Sequence, residues 1–239
     1  MAEEILKFPH GEHEDCRALT ELTVEHLPRD GGLGRPRRYR ARQPVWEPED
    51  RSDRIYFLLS GEVVVYATTA GGDELVVRDV GAGQPFGELC FCGGPTKVRR
   101  TTARAVAACE AVEIKLPDFM EYVRADRDVL TSLIFTFCIR LGEAERLVEI
   151  FAYRHAEERL GRLLLHLAEV ARRRQGARQD SGGGRVILPF THDELARRAA
   201  MSRQHVTITL GKMRREGLVE YGRGLPLVVD TRRLADRLS

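Results

Sequence analysis

The chain's 239 residues suffice for one large domain or two small ones, each with its own core. Its 43% hydrophobic and 31% charged residues exclude general disorder, collagen and low-complexity architecture. The net charge of +2 hides a split: residues 157–239 carry 17 basic against 10 acidic side chains, a balance of +7, and the first 156 residues a balance of −5. A basic third on an acidic body is the pattern expected of a nucleic-acid binder.

Residues 1–30 show no sustained hydrophobic period and read as a loose or docked N-terminal arm. Their acidic start has no apolar signal core, and no run in the chain approaches the roughly 20 apolar residues needed to span a bilayer, which predicts a cytoplasmic protein without membrane contact. From residue 31 to 120 the pattern changes to short β-type runs: Arg54–Leu59, Glu62–Tyr66, Glu74–Arg78 and Ala111–Leu116. Ser60-Gly61, Gly71-Gly72-Asp73 and Gly81-Ala82-Gly83 punctuate them, which favours an antiparallel barrel or sandwich over crossover-linked strands. An all-β, sensor-like domain is expected here.

Pro117 opens a helical stretch running to Phe151, with a hinge at 152–156; residues 121–155 are expected to form a dimerisation segment. Within it Leu130, Ile134, Phe137, Leu141, Ala144, Val148 and Phe151 recur in steps of four and three, the seam of two helices lying side by side. Homodimerisation follows. Glu157–Arg174 is a further amphipathic helix, and the Gly182–Gly184 run belongs to a loop.

Thr191-His-Asp-Glu194 fits a capping box that fixes the start of a short helix over 192–199. Ala200-Met201 turns the chain, Ser202 caps a second helix, and Gly217 stands where a left-handed residue would end it. On that second helix Val206, Leu210 and Met213 form the inward stripe. Ser202, Arg203, Gln204, His205 and Thr207 crowd its N-terminal half, where Arg, Gln and Thr can read base edges. Lys212, with Arg214 and Arg215, suits phosphates, and Arg223 sits in the Gly-tipped turn of a following hairpin. Residues 156–239 therefore read as a winged helix-turn-helix, and the chain as α+β.

With that order of elements in view, the chain resembles the cAMP receptor protein/FNR family of bacterial transcription regulators over residues 34–235. The matching motifs are Leu59-Ser-Gly-Glu-Val63, Phe86-Gly-Glu-Leu89, Arg140-Leu141 and Ser202-Arg-Gln-His-Val206. The resemblance implies a β-roll that senses an effector, a long helix that relays it, double-stranded DNA with a palindromic site as the partner, and RNA polymerase as a second partner. It places the effector against Gly87, Glu88, Leu89, Arg99 or Arg100, Thr101 and, on the long helix, Arg140, Ala144 and Glu145. Independently of it, backbone N–H groups near Gly87 and a guanidinium suit an anion, and Glu88 can accept ribose hydroxyls. Yet Arg100 follows Arg99 where cAMP-binding members have Ser, and Ala144 and Glu145 replace two hydroxyls, so cAMP held by the usual contacts is not expected. Ile208 and Gln204 depart likewise on the DNA side.

A nucleotide-like anion is one expected effector; a metal, haem or redox signal is another. His10, His13 and Cys16 stand at regular short spacing and, with Cys90 or Cys92, form a candidate metal or haem site. Against it, scattered reduced cysteines are the default in a chain of this size. A rival reading is a cyclic-nucleotide-binding regulatory subunit whose C-terminal third docks a protein. An enzyme is disfavoured, since the sequence shows no nucleophile-base pair, Walker loop or dinucleotide fingerprint.

Overall fold

Strand β3, Arg54–Ser60, shows how the first half is organised: four successive side chains, Ile55 to Leu58, are buried. Side chains alternate across a strand, so Tyr56 and Leu58 enter one core with Trp46, Val63 and Phe86, while Ile55 and Phe57 enter another with Phe119, Val123 and Leu133. A strand covered on both faces belongs at the centre of its layer. The computed structural model describes residues 20–29, 31–92, 97–175, 184–222 and 224–239, without the side chains at 92 and 173–175.

Around β3 lie β1 (Arg35–Tyr39), β2 (Pro44–Trp46), β4 (Glu62–Thr68), β5 (Glu74–Gly81), β6 (Pro85–Phe86), β7 (Thr102–Ala105) and β8 (Cys109–Lys115). They form two four-stranded sheets, ordered β1-β8-β3-β6 and β2-β7-β4-β5, with antiparallel pairing at every described ladder. The expected all-β domain is thus a double-layered antiparallel roll.

Two helices follow where the sequence reads as one. Helix α1, Leu116–Ala125, carries Pro117 in its first turn, and α2, Arg127–Ala152, runs 26 residues, about 39 Å. Asp126 separates them: its backbone is extended, and its carboxylate accepts from the N–H groups of Asp128 at 2.9 Å and Val129 at 3.2 Å, capping α2. The apolar periodicity runs through this break, and so conceals it. The described part of the N-terminal arm is docked: Leu22 is buried and donates its N–H to Thr136 Oγ1 at 2.8 Å, while Tyr122 donates to the His26 carbonyl at 2.5 Å.

Contacts divide the chain into Met1–Ala67 with Val77–Gly142, and Thr68–Val76 with Glu143–Ser239. The second unit contains α3 (Ala156–Gln175), β9 (Arg185–Leu188), α4 (His192–Ala199), α5 (Arg203–Arg215), β10 (Val219–Gly222), β11 (Leu225–Asp230) and α6 (Thr231–Leu238). Its core joins Leu160, Leu164, Leu195, Leu210, Met213 and Leu234. The hairpin β10–β11 gains β9 as a third strand, in the order β10-β11-β9, a pairing across about 40 residues that no local pattern announces. Among the described residues no helix is long and apolar enough to cross a membrane.

Candidate nucleic-acid interface and effector pocket

The turn between α4 and α5 is built as the local chemistry requires. Thr191 Oγ1 accepts from the Glu194 N–H, and the Glu194 carboxylate accepts from the Thr191 N–H at 2.7 Å. Ala200 takes the left-handed conformation (φ +51) at the end of α4, and its neighbour Met201 donates to the Ala196 carbonyl at 3.1 Å. Ser202 then caps α5 through the His205 N–H at 3.2 Å, and Gly217 (φ +71) follows its end.

Val206, Leu210 and Met213 are buried on the inner face of α5, joined by Thr209. Arg203, Gln204, His205, Thr207 and Ile208 are exposed on the outer face. The His205 ring lies 3.3 Å from its own cap oxygen, Ser202 Oγ. Thr207 donates its hydroxyl to the Arg203 carbonyl at 2.9 Å, so the imidazole of His192, 3.0 Å away, must donate from Nδ1 to the Thr207 oxygen. His192 also meets Tyr221 edge-on at 5.1 Å, and the Arg214 guanidinium lies over the Tyr221 ring at 4.8 Å. Sequence reading missed His192 and Tyr221, because their role depends on which helix and strand pack behind Thr207.

Burial first, and the Arg203 charge second, hold the His192 imidazolium below its ordinary value of 6.5. Folding therefore favours the neutral ring, and the stability this contributes is present above the unfolded value and lost as pH falls through the lowered one. Melting curves between about pH 7 and pH 5 should show the second unit weakening, and His192→Gln should remove that increment.

Lys212 departs from expectation. It is bound to Glu157 of α3 at 2.5 Å, a carboxylate shared with Arg237 at 3.5 Å, so it ties helices together instead of facing a phosphate. Lys212→Ala is accordingly expected to leave DNA affinity within about twofold and to cost about 0.2–1 kcal/mol of stability, read from a binding titration and a thermal melt. Arg223 lies outside the described residues.

The effector residues divide. Gly87 adopts φ +82, and a Cβ there would stand 3.1 Å from Tyr56 and 3.3 Å from Arg99 Nη1, so only glycine fits. Glu88 follows in a short 3-10 turn, Glu88–Cys92, and its carboxylate accepts from Arg78. Arg99 does not face an anion site: 4% exposed, it stacks 4.3 Å above Trp46 and donates to the carbonyls of Gly87 at 2.9 Å and Arg54 at 2.5 Å. Desolvation lowers its pKa from the ordinary guanidinium value. Arg100 points out to solvent, so the Arg99-Arg100 pair does not act together, and Thr101 accepts from the Trp46 indole at 3.4 Å. Leu89 is exposed. Arg140 lies on α2 within the first unit, whereas Ala144 and Glu145 belong to the second.

Residues 36–126 match the cyclic nucleotide-binding domain family and residues 158–237 the Crp-like helix-turn-helix domain family. The chain is 30% identical over 184 residues to transcriptional regulator SdrP of Thermus thermophilus, covering 77% of this chain and 83% of that one. The chain belongs to the Crp/Fnr family of transcription regulators. It is also 28% identical to the cAMP-activated global transcriptional regulator Vfr of Pseudomonas aeruginosa, over 81% of this Crp/Fnr chain and 88% of the relative. A solved CRP/FNR-family transcriptional regulator from Thermus thermophilus superposes with a TM-score of 0.64 at 27% identity, covering 85% and 98% of the two chains. Helix α5 thus lies within the Crp-like helix-turn-helix domain, and its outer face is exposed.

On the long helix of this Crp/Fnr chain, Leu130, Ile134, Leu141 and Val148 are 41–69% exposed. Phe137 and Phe151 are partly buried and pack against the cores of the first and second unit, so they serve the protomer's own packing. His10, His13 and Cys16 lie outside the described residues, as does the side chain of Cys92. Cys90 is buried beside Ile55 and Phe119, and burial pushes its thiol up to about 11, so it is a packing residue and not a ready thiolate ligand. Among the described residues no group of three or more potential ligands is placed to hold a metal.

Proposed function

We propose that this Crp/Fnr regulator works in the cytoplasm as a homodimer whose two α5 helices read the halves of a palindrome. The observation that carries the reading is the outer face of α5, where Arg203, Gln204 and Thr207 stand exposed on a helix capped at Ser202 and anchored by Val206 and Leu210. The apolar row from Leu130 to Val148 supports dimerisation, since a helix facing water throughout would not carry it. Two-fold symmetry then sets half-sites about 34–36 Å apart.

A regulator that recruits RNA polymerase needs a surface for it. Strand β1 and the turn after it supply one of suitable chemistry: Arg35, Arg37, Arg38, Arg40 and Arg42 all lie there, and Arg37 and Arg38 face carboxylates of β8, Glu113 and Glu110. We assign the chain a regulatory role and no reaction of its own. The effector class stays that of an anionic nucleotide, a haem or a metal, sensed in the first unit.

The test is a titration of full-length protein onto palindromic and shuffled duplexes at several salt concentrations, with the mass of the complex read by light scattering. Two chains per palindrome, and a log–log salt slope steepening by about −0.9 for each phosphate neutralised, are expected. One chain per duplex, or equal affinity for shuffled DNA, would overturn the reading.

A further inference from the structure

A cyclic mononucleotide asks two things of a pocket: donors for one phosphate charge, and an acceptor for a ribose hydroxyl. Around the Gly87 turn, charged groups of those types among the described residues include Glu88, Arg78 and Arg99, and each of these three is engaged by the chain itself. Arg78 donates one nitrogen to the Glu88 carboxylate and another to the Pro85 carbonyl at 2.5 Å. Its side chain is 14% exposed and that of Glu88 12%. Arg99 spends both terminal nitrogens on the Gly87 and Arg54 carbonyls and its face on Trp46.

We propose that Arg78 is the specificity-determining residue of this pocket: its guanidinium takes the acceptor that a ribose would need, so cyclic mononucleotides are excluded and DNA binding does not depend on them. A neutral hydroxyl cannot displace a guanidinium from a mostly buried carboxylate, because the exchange strips the charge-assisted bonds from both ions and returns only neutral ones. Nor can the cyclic phosphate draw Arg78 away without stranding Glu88 as an uncompensated buried charge beside the incoming anion. Arg99 is held by two carbonyls and the face of Trp46 and makes no bond to Glu88, so of the two arginines Arg78 alone covers that acceptor. The acceptor is covered by a side chain from β5, ten residues before it in the chain.

The proposal rests on the DNA-binding reading for its second half only, and the two can fail separately. Nucleotide-stripped full-length protein is titrated calorimetrically with cAMP and with cGMP. The wild type should give no binding heat up to about 1 mM, Arg78→Ser should gain affinity by tenfold or more, and Arg78→Lys, which keeps a cation on Glu88, should stay closed. Thermal melts verify that each variant folds; if Arg78→Ser does not, the neutral double variant Arg78→Ser with Glu88→Gln, which has no stranded carboxylate, replaces it. Cyclic nucleotide binding by the wild type, or a folded open variant that still refuses it, overturns the assignment. Operator affinity of the wild type is measured in parallel and should change less than twofold on adding cAMP; a larger gain also overturns the proposal, whereas absent operator binding overturns the DNA-binding reading instead.

Discussion

Arg203→Ala is expected to weaken operator binding by about 1–3 kcal/mol per half-site, roughly 5- to 150-fold, and to relax the preference at one base pair of each half. Arg203 is the first residue of α5, exposed, and without a carboxylate partner among the described residues, so its guanidinium is available to a guanine edge. Its carbonyl holds Thr207, but alanine keeps that carbonyl, and the loss therefore reports the guanidinium alone. Gel-shift titrations on an operator and its single-base variants measure both effects. Unchanged affinity together with unchanged base preference would place the reading helix elsewhere.

In the sensing unit the largest loss is expected from Trp46→Ala, about 3–5 kcal/mol. The indole stacks on Phe86 at 5.6 Å, tilts against Tyr56 at 5.5 Å, and carries the Arg99 guanidinium on its face. Removing it opens a cavity and at once exposes a buried cation to an empty space, so the two penalties act together. Against a total stability of about 5–15 kcal/mol, such a loss brings the unit close to unfolding. Urea melts followed by circular dichroism should show the shift, and Trp46→Phe, which keeps a ring under Arg99, should recover part of it.

Features whose chemistry closes within a few residues are legible in the sequence: the capping box from Thr191 to Glu194, the Ser202 cap and the left-handed Gly217 all stand as the local pattern requires. Features that depend on a distant partner are not. Lys212 has the composition of a phosphate contact, yet Glu157, 55 positions earlier, claims it. An arginine beside another arginine reads as solvent-facing or ligand-facing, and nothing near Arg99 in sequence announces that Trp46 and two carbonyls will satisfy it inside a core. Arg78 ends the β-type run Glu74–Arg78, and its partner Glu88 lies ten positions on, so the local pattern does not single it out. The seam of α2 rests on period alone, which cannot tell an apolar residue that stays exposed, such as Val148, from one such as Phe151 that packs on its own unit.

The chain has a single tryptophan. It lies in the first unit, next to the turn that carries Gly87, and the DNA-binding unit has none. Indole emission is therefore an optical report on the sensing half by itself, without any label. A guanidinium 4.3 Å from the ring face makes that emission sensitive to the position of Arg99, so a change beside the Gly87 turn is read with no tryptophan background from the DNA-binding unit.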